Sequence, residues 1–326
     1  MMQSFRVSDA LRCILLNTPK SPNLAEARTD SVNHAALPNR GLHNRGLHNL
    51  GLWKQVLTQP ENRITLVSWH GVRLAGLVSA RTCNGRVWEL DHLYLPHSGN
   101  NGVTPPNIHE AAALDLLGGL VQLAGERRAE RILLRLPSDT QVIDLAQRAG
   151  FFPYAEETLM HRPLGSIAGG DGPATGLLTE HFRVKQAQDD YGLFQLFSAS
   201  TPSSVRMVMG LTCDQWQDLQ SLWPSDRQEW IAEHEGKIIG WLGLFQRHGH
   251  LEGKIMVHPK HPQLIESLTR LALSRPGNQR WLAPNYQETV CDQLSYRGLQ
   301  EAARFTMLIN TVAAPVVCAG MAPVEA

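Results

Sequence analysis

The feature that most constrains this chain is that it repeats itself. Phe5-Arg6-Val7 returns as Phe182-Arg183-Val184, each followed by two polar residues, an alanine and a helix-like stretch. The runs Ile64 to Trp69 and Gly71 to Val78 resemble Trp230-Ile231-Ala232 and Gly236 to Leu242. Both read as two strands joined by a tight turn carrying glycine. A third strand is predicted in each half, Arg86 to Leu95 and Leu251 to Val257. Each is closed by a proline, Pro96 or Pro259, which has no N–H to give to a ladder. A duplicated chain folds as two copies of one unit, and 326 residues suit two domains of about 150 each.

Amphipathic stretches follow, Pro106 to Ala124 and the shorter Pro262 to Leu273, where Leu264, Ile265, Leu268, Leu271 and Ala272 recur at helical spacing. Proline at each start suits a first helical turn, whose N–H has no helical partner. A short apolar strand comes next, Arg131 to Leu136 or Arg280 to Ala283, closed by Pro137 or Pro284. A helix is expected behind it, with Ser138 or Asn285 as N-cap and Gly150 or Gly298 past its end. The last strands are predicted over Thr158 to Leu164 and Phe305 to Thr311. Between the halves, Gly165 to Leu178 has linker composition, placing the units at residues 1–164 and 179–326 with residues 165–178 joining them. The five-residue repeat Arg40-Gly41-Leu42-His43-Asn44, Arg45-Gly46-Leu47-His48-Asn49 matches neither a helical nor a strand period and reads as a slipped duplication in a surface loop.

Charge removes some partners. Thirty basic residues cancel thirty acidic ones, so no global field favours nucleic acid or an anionic membrane. No apolar run approaches the roughly eighteen residues of a membrane span, and Met1 to Arg6 lacks a signal-peptide core, so a cytoplasmic location is expected. Five scattered cysteines without a CxxC pair indicate reduced thiols. There is no Gly-x-Ser-x-Gly elbow, phosphate loop or HExxH motif to anchor hydrolase, nucleotide triphosphatase or zincin chemistry.

The order of elements, and the Leu/Val-x-Pro strand end before a helix, resemble the GCN5-related N-acetyltransferase (GNAT) superfamily, here in tandem. In the first half the carrying residues are Leu93-Tyr94-Leu95-Pro96, Arg131 to Leu136, and Ala149-Gly150-Phe151-Phe152. In the second they are Ile255-Met256-Val257-His258-Pro259, Trp281-Leu282-Ala283-Pro284, Asn285-Tyr286-Gln287 and Gly298-Leu299. The resemblance implies an α/β (α+β) fold of two tandem GNAT-like domains, each a mixed, mostly antiparallel sheet flanked by helices. It also implies that the sheet splays between the fourth and fifth strands so that acyl-CoA wedges in. A Gln/Arg-x-x-Gly-x-Gly/Ala loop then holds the pyrophosphate on backbone N–H groups at a helix start.

Both halves depart from that loop. The first offers His97-Ser98-Gly99-Asn100-Asn101-Gly102-Val103-Thr104 and then Pro105-Pro106; the second has only Lys260-His261 between Pro259 and Pro262. The resemblance therefore assigns cofactor contacts to Leu93, Leu95, Ser98, Gly99, Asn100, Asn101, Gly102 and Val103, with the Leu95 N–H polarising the acyl carbonyl. No CoA binding is expected in the second half, whose role is then to complete the first. The family's thiolate-protonating tyrosine, four residues before the Gly-Phe pair, is replaced by Ala146 and Leu294, and Tyr296 lies on another helix face.

Acyl transfer to an amine needs a base for the ammonium proton and donors for the oxyanion. Glu89 and Asp91, in Glu89-Leu90-Asp91-His92, are the candidates for the catalytic base. Period-two alternation puts them on the face of Val87, Leu93 and Leu95, with His92 and Tyr94 opposite. A solvated strand face is the competing reading, as it is for Glu252 and Lys254. Among fourteen histidines, His248, His250, His258 and His261 form the best metal group, yet lack a completing Cys or carboxylate, and no metal is expected. Trp216, Trp223, Trp230, Trp241 and Trp281 concentrate in the second half and read as core, or as a ligand cleft. The expected function is N-acyl transfer from acetyl-CoA or another acyl-CoA to a small-molecule or peptide amine, with the first half active. The alternative is a non-catalytic binding or scaffold protein with eroded cofactor sites.

Overall fold

In a computed structural model of the chain, the described residues are 2–6, 8–9, 12–13, 23–25, 62–83, 86–95, 106–162, 182–210, 212–220, 227–247, 250–275 and 278–312. The elements of the first half are β1 (Met2–Ser4), β2 (Arg63–His70), β3 (Arg73–Thr82), β4 (Val87–Tyr94), α1 (Pro106–Glu126), β5 (Arg131–Pro137), α2 (Val142–Arg148) and β6 (Phe152–His161). Those of the second are β7 (Phe182–Val184), α3 (Asp190–Ser200), α4 (Ser203–Met209), α5 (Cys213–Gln220), β8 (Gln228–His234), β9 (Lys237–Arg247), β10 (His250–Val257), α6 (Leu264–Leu273), β11 (Asn278–Pro284), α7 (Glu288–Tyr296) and β12 (Gln300–Thr311). The expected linker and the duplicated pentapeptide lie outside the described residues.

Local chemistry repeats as the sequence does. Gly150 and Gly298 adopt φ of 86° and 85°, left-handed values that suit glycine just past a helix end. The following N–H bonds back the same way in both halves, Phe151 to the Ala146 carbonyl and Leu299 to the Leu294 carbonyl. Beneath α1, Ala113, Leu116, Leu117, Leu120 and Ala124 form a stripe packed on Ile64, Leu66, Val78, Ile132 and Leu134. Under α6, Ile265, Leu268 and Ala272 pack on Leu242, Ile255 and Trp281.

The twelve strands among the described residues form a single sheet in the order β1-β2-β3-β4-β5-β12-β6-β11-β10-β9-β8-β7. The connection β5-α2-β6 skips one strand position, and β11-α7-β12 does the same. Each slot is filled by the other half's last strand: β12 is antiparallel to both β5 and β6, and β6 to both β12 and β11. The halves are thus interlocked around the β12–β6 pair, and the sheet reads alike from either end.

The two expected N-caps serve this exchange instead of capping. Helix α2 begins at Val142 and α7 at Glu288, beyond Ser138 and Asn285. The Ser138 N–H bonds the Arg304 carbonyl at 2.9 Å and its hydroxyl meets Thr306 at 3.0 Å, tying β5 to β12. The Asn285 N–H bonds the Glu156 carbonyl at 2.9 Å, and its side-chain oxygen accepts from Thr158 at 2.7 Å, tying β11 to β6. Both strands also begin earlier than predicted, at Phe152 and Gln300, since their first residues are held by pairing with each other and not by apolar alternation.

Alternation misplaces part of β4 as well. Ser79 opposes His92 while Ala80 opposes Leu90, so Asp91 is an extra residue on β4, a β-bulge. The bulge resets the period: Leu93 and Leu95 join Trp88 and Leu90 in the core under α1, on the face opposite Val87, which packs with Leu133 and Ile309.

Candidate functional site

In each half the fourth and fifth strands start as a parallel pair and then part. β4 pairs with β5 only through Val87, Trp88 and Glu89, and β10 with β11 only from His250 to Gly253. Beyond these points each fourth strand has an edge its parallel neighbour no longer covers. The two edges are treated differently.

In the first half the edge is taken by the chain itself. The Leu93 N–H donates to the Asn23 side-chain oxygen at 2.8 Å, the Asn23 side-chain nitrogen donates to the Asp91 carbonyl at 2.8 Å, and the Leu24 N–H donates to the Leu93 carbonyl at 2.9 Å. Ala25 is fully buried in the core under α1, and Leu24 packs against it.

Both carboxylates proposed as bases are buried and held by arginines. Glu89 is 3.3 Å from Arg81 on the adjacent strand. Asp91 receives two bonds from Arg63, at 2.7 and 2.9 Å, and lies 3.0 Å from His92 Nδ1. Burial pushes the Asp91 pKa up, but contact with His92 and the charges of Arg63 and Arg81 outweigh it and hold it below the ordinary carboxylate range. The strand-face reading therefore fails in one respect: neither group is solvated. Ser98, Gly99, Asn100, Asn101, Gly102 and Val103 lie outside the described residues.

In the second half the parted strands open into a cleft with a cavity volume of about 90 Å³. Its floor is Gly253 to Met256 of β10 and Trp281 to Pro284 of β11; α3, α4 and α5 wall one side with Phe197, Val205 and Trp216. Tyr286, just before α7, and Val290, in its first turn, line it too, and Glu157 enters from β6, the strand supplied by the first half. Glu157 is buried and paired with Arg135 at 2.8 Å. Trp216 and Trp281 are buried with indole N–H groups that have no hydrogen-bond partner among the described residues. Of the five tryptophans singled out in the sequence, Trp216, Trp241 and Trp281 line this cleft, Trp230 belongs to the core under α6, and Trp223 is outside the described residues.

The Trp281 ring lies across Gly253, where any Cβ would overlap the indole. Gly253→Ala is expected to force the ring away from β10 and cost about 1–3 kcal/mol, the usual penalty for overpacking, measured by urea unfolding.

The turn before α6 makes a poor phosphate cradle. The N–H groups of His261, Leu264 and Ile265 are bonded to the carbonyls of His258, His261 and Pro262, that of Lys260 to the His258 ring, and Pro259 and Pro262 have none. The His258 pKa is lowered by burial and by His261, Lys260 and Lys237. Ala146 and Leu294, at the register of the missing tyrosine, are fully buried, and Tyr296 is 83% exposed.

Sequence reasoning missed Asn23, Glu157 and Tyr286. Tyr286 had a signal, lying just past the end of β11 where open α/β sheets bind ligands. Asn23 and Glu157 had none, since both act across to strands far away in the chain.

No protein-family model matches the sequence, and no curated protein matches it. Solved structures do. A GCN5-related N-acetyltransferase from Sphaerobacter thermophilus is 12% identical, with a TM-score of 0.50 over 96% of this chain and 95% of that one. An acetyltransferase of Pyrococcus horikoshii, described as putative, is 10% identical with a TM-score of 0.46 over 96% and 90%. A tandem GNAT protein from the clavulanic acid biosynthesis pathway is 13% identical with a TM-score of 0.43 over 77% and 83%. No helix among the described residues is long and apolar enough to cross a membrane. The fold is similar to that of the GCN5-related N-acetyltransferases, and its order of elements occurs twice along the chain.

Proposed function

We propose that this protein transfers an acyl group from an acyl thioester such as acetyl-CoA to an amine, and that the working cleft is in the second half. One observation carries the reading: of the two places where the sheet parts, the β10–β11 opening is a cleft, while the β4 edge is already hydrogen-bonded to Asn23 and Leu24. This moves the site from the half that the glycine-bearing loop favours. Asp91 then acts as a structural partner of Arg63, because a carboxylate held below its ordinary pKa is a weak base, and Glu89 is buried against Arg81. In the second half the thioester arm lies along β10, with its carbonyl toward the aromatic wall. Glu157, paired with Arg135, is a carboxylate of the cleft lining that can position the amine, and Tyr286 is a phenol at the cleft that can give its proton to the departing thiolate, the phenolate then taking the proton from the acylated nitrogen.

Because most amides before α6 are spent, the nucleotide end adds little, and the arm carries the affinity. Calorimetry of the full-length protein should therefore find acetyl-pantetheine binding within about tenfold of acetyl-CoA, a difference of about 1.4 kcal/mol or less. Hydrogen exchange should slow in residues 254–257 on binding and stay unchanged in residues 90–95. Failure of both thioesters to bind would overturn the reading. The spent amides before α6 favour a second one, a GNAT-fold protein that binds a small molecule in the same cleft without catalysis, and that result would support it.

A further inference from the structure

The first half carries a binding edge of its own, and its occupant is part of the chain. Past the bulge, β4 turns the Leu93 N–H, the Leu93 carbonyl and the Asp91 carbonyl away from β3, toward the space that β5 has left. This row of one donor and two acceptors is what a strand edge offers to an extended, amide-bearing chain. The Asn23 carboxamide meets it as a peptide group would, its oxygen accepting from Leu93 and its nitrogen donating to Asp91, and the Leu24 N–H completes the set. Asn23 also accepts from the Ala25 N–H at 3.2 Å, which fixes the carboxamide's orientation. Behind it, Ala25 fills the core under α1 with no exposed surface.

We infer that Asn23–Ala25 is a built-in pseudo-ligand: it occupies a latent site of the first half whose ligand class is an extended chain bearing amides, and keeps that site closed. The pantetheine arm of an acyl thioester is such a chain, so in naming this probe the inference rests on the reading proposed above; the occupied edge itself does not. A tethered occupant outcompetes a free one because its effective concentration is set by the chain, in the millimolar range or higher for short connections. A free ligand at micromolar concentration therefore does not enter while Asn23 is in place.

Hydrogen exchange at the Leu93 amide, read in the full-length protein with D-pantetheine as probe, tests this directly. In the wild type the Leu93 amide should exchange slowly whether or not micromolar pantetheine is present. Asn23→Ala removes both side-chain bonds to β4, and Leu93 should then exchange at least tenfold faster, with pantetheine restoring most of the protection. Asn23→Gln, which keeps the carboxamide but displaces it by one methylene, should fall between the two. Unchanged exchange in Asn23→Ala would show that the contact does not hold the edge. Extra slowing of Leu93 by pantetheine in the wild type would show that the segment does not exclude a ligand. Exposure of Leu93 in Asn23→Ala without recovery on adding pantetheine would make the segment a structural strap and overturn the pseudo-ligand assignment. Binding in the second half is read separately from residues 254–257, so its failure leaves this result intact.

Discussion

Asp91→Asn should destabilise the folded protein by about 3–5 kcal/mol, the cost of stranding a buried charge when its partner is removed. Arg63 has a side chain 4% exposed, and both of its bonds to Asp91 are lost as charge-assisted contacts. The contribution also has a pH signature. Asp91 titrates below its unfolded value of about 3.9, so the stability it confers is complete above that pH and is lost as pH falls through the lower folded value. Urea unfolding should therefore show a constant gap between wild type and Asp91→Asn from neutral pH down to about pH 4, narrowing below it. Replacing both partners, Arg63→Met with Asp91→Leu, should recover much of the loss. A change of less than about 0.5 kcal/mol in the single variant would place Asp91 outside the structural frame and return it to candidacy as a base.

Separating the halves should have a larger effect still. A fragment of residues 1–164 keeps β6 but loses β12, which pairs with seven residues of β5 and nine of β6. A fragment of residues 179–326 keeps β12 but loses β6, and with it the neighbour of β11 and the Glu157 wall of the cleft. Each then exposes strand edges on both sides of an empty slot, a template for aggregation or self-pairing. Expressed alone, neither fragment should unfold cooperatively as a monomer; expressed together, they should recover a 1:1 complex with the melting profile of the intact chain. Size-exclusion chromatography and thermal melts decide this. A monomeric 179–326 fragment melting within about 5 °C of the full-length protein, equivalent to a change of about 1–2 kcal/mol for domains of this size, would show that the exchange is dispensable.

Much of the architecture was legible in the residues themselves. The repeat announced two copies, and the apolar stripe of α1 and the glycines at 150 and 298 marked matching helices and their ends. These signals are local: helical periodicity, turn chemistry and helix stops are set by residues within a few positions of one another.

What the tertiary structure alone decided concerns pairing between distant segments. Ser138 and Asn285 have the chemistry of N-caps, and nothing near them in sequence says that they bind the other half's last strand. Strand exchange is invisible to periodicity because β6 and β12 have the same pattern whichever neighbour they pair with. The bulge at Asp91 depends on how β3 and β4 register, and that one extra residue sends Leu93 and Leu95 to the opposite face from Glu89. How each parted strand edge is lined among the described residues was likewise a matter of contact at a distance. Asn23 covers β4 nearly seventy positions away in the chain, while Glu157 reaches the second half's cleft from a strand of the first. The sequence by itself determined the elements and their duplication; the packing of far-apart segments determined which groups face each parted strand edge, because hydrogen-bonding edges are satisfied by whichever chain the fold brings to them.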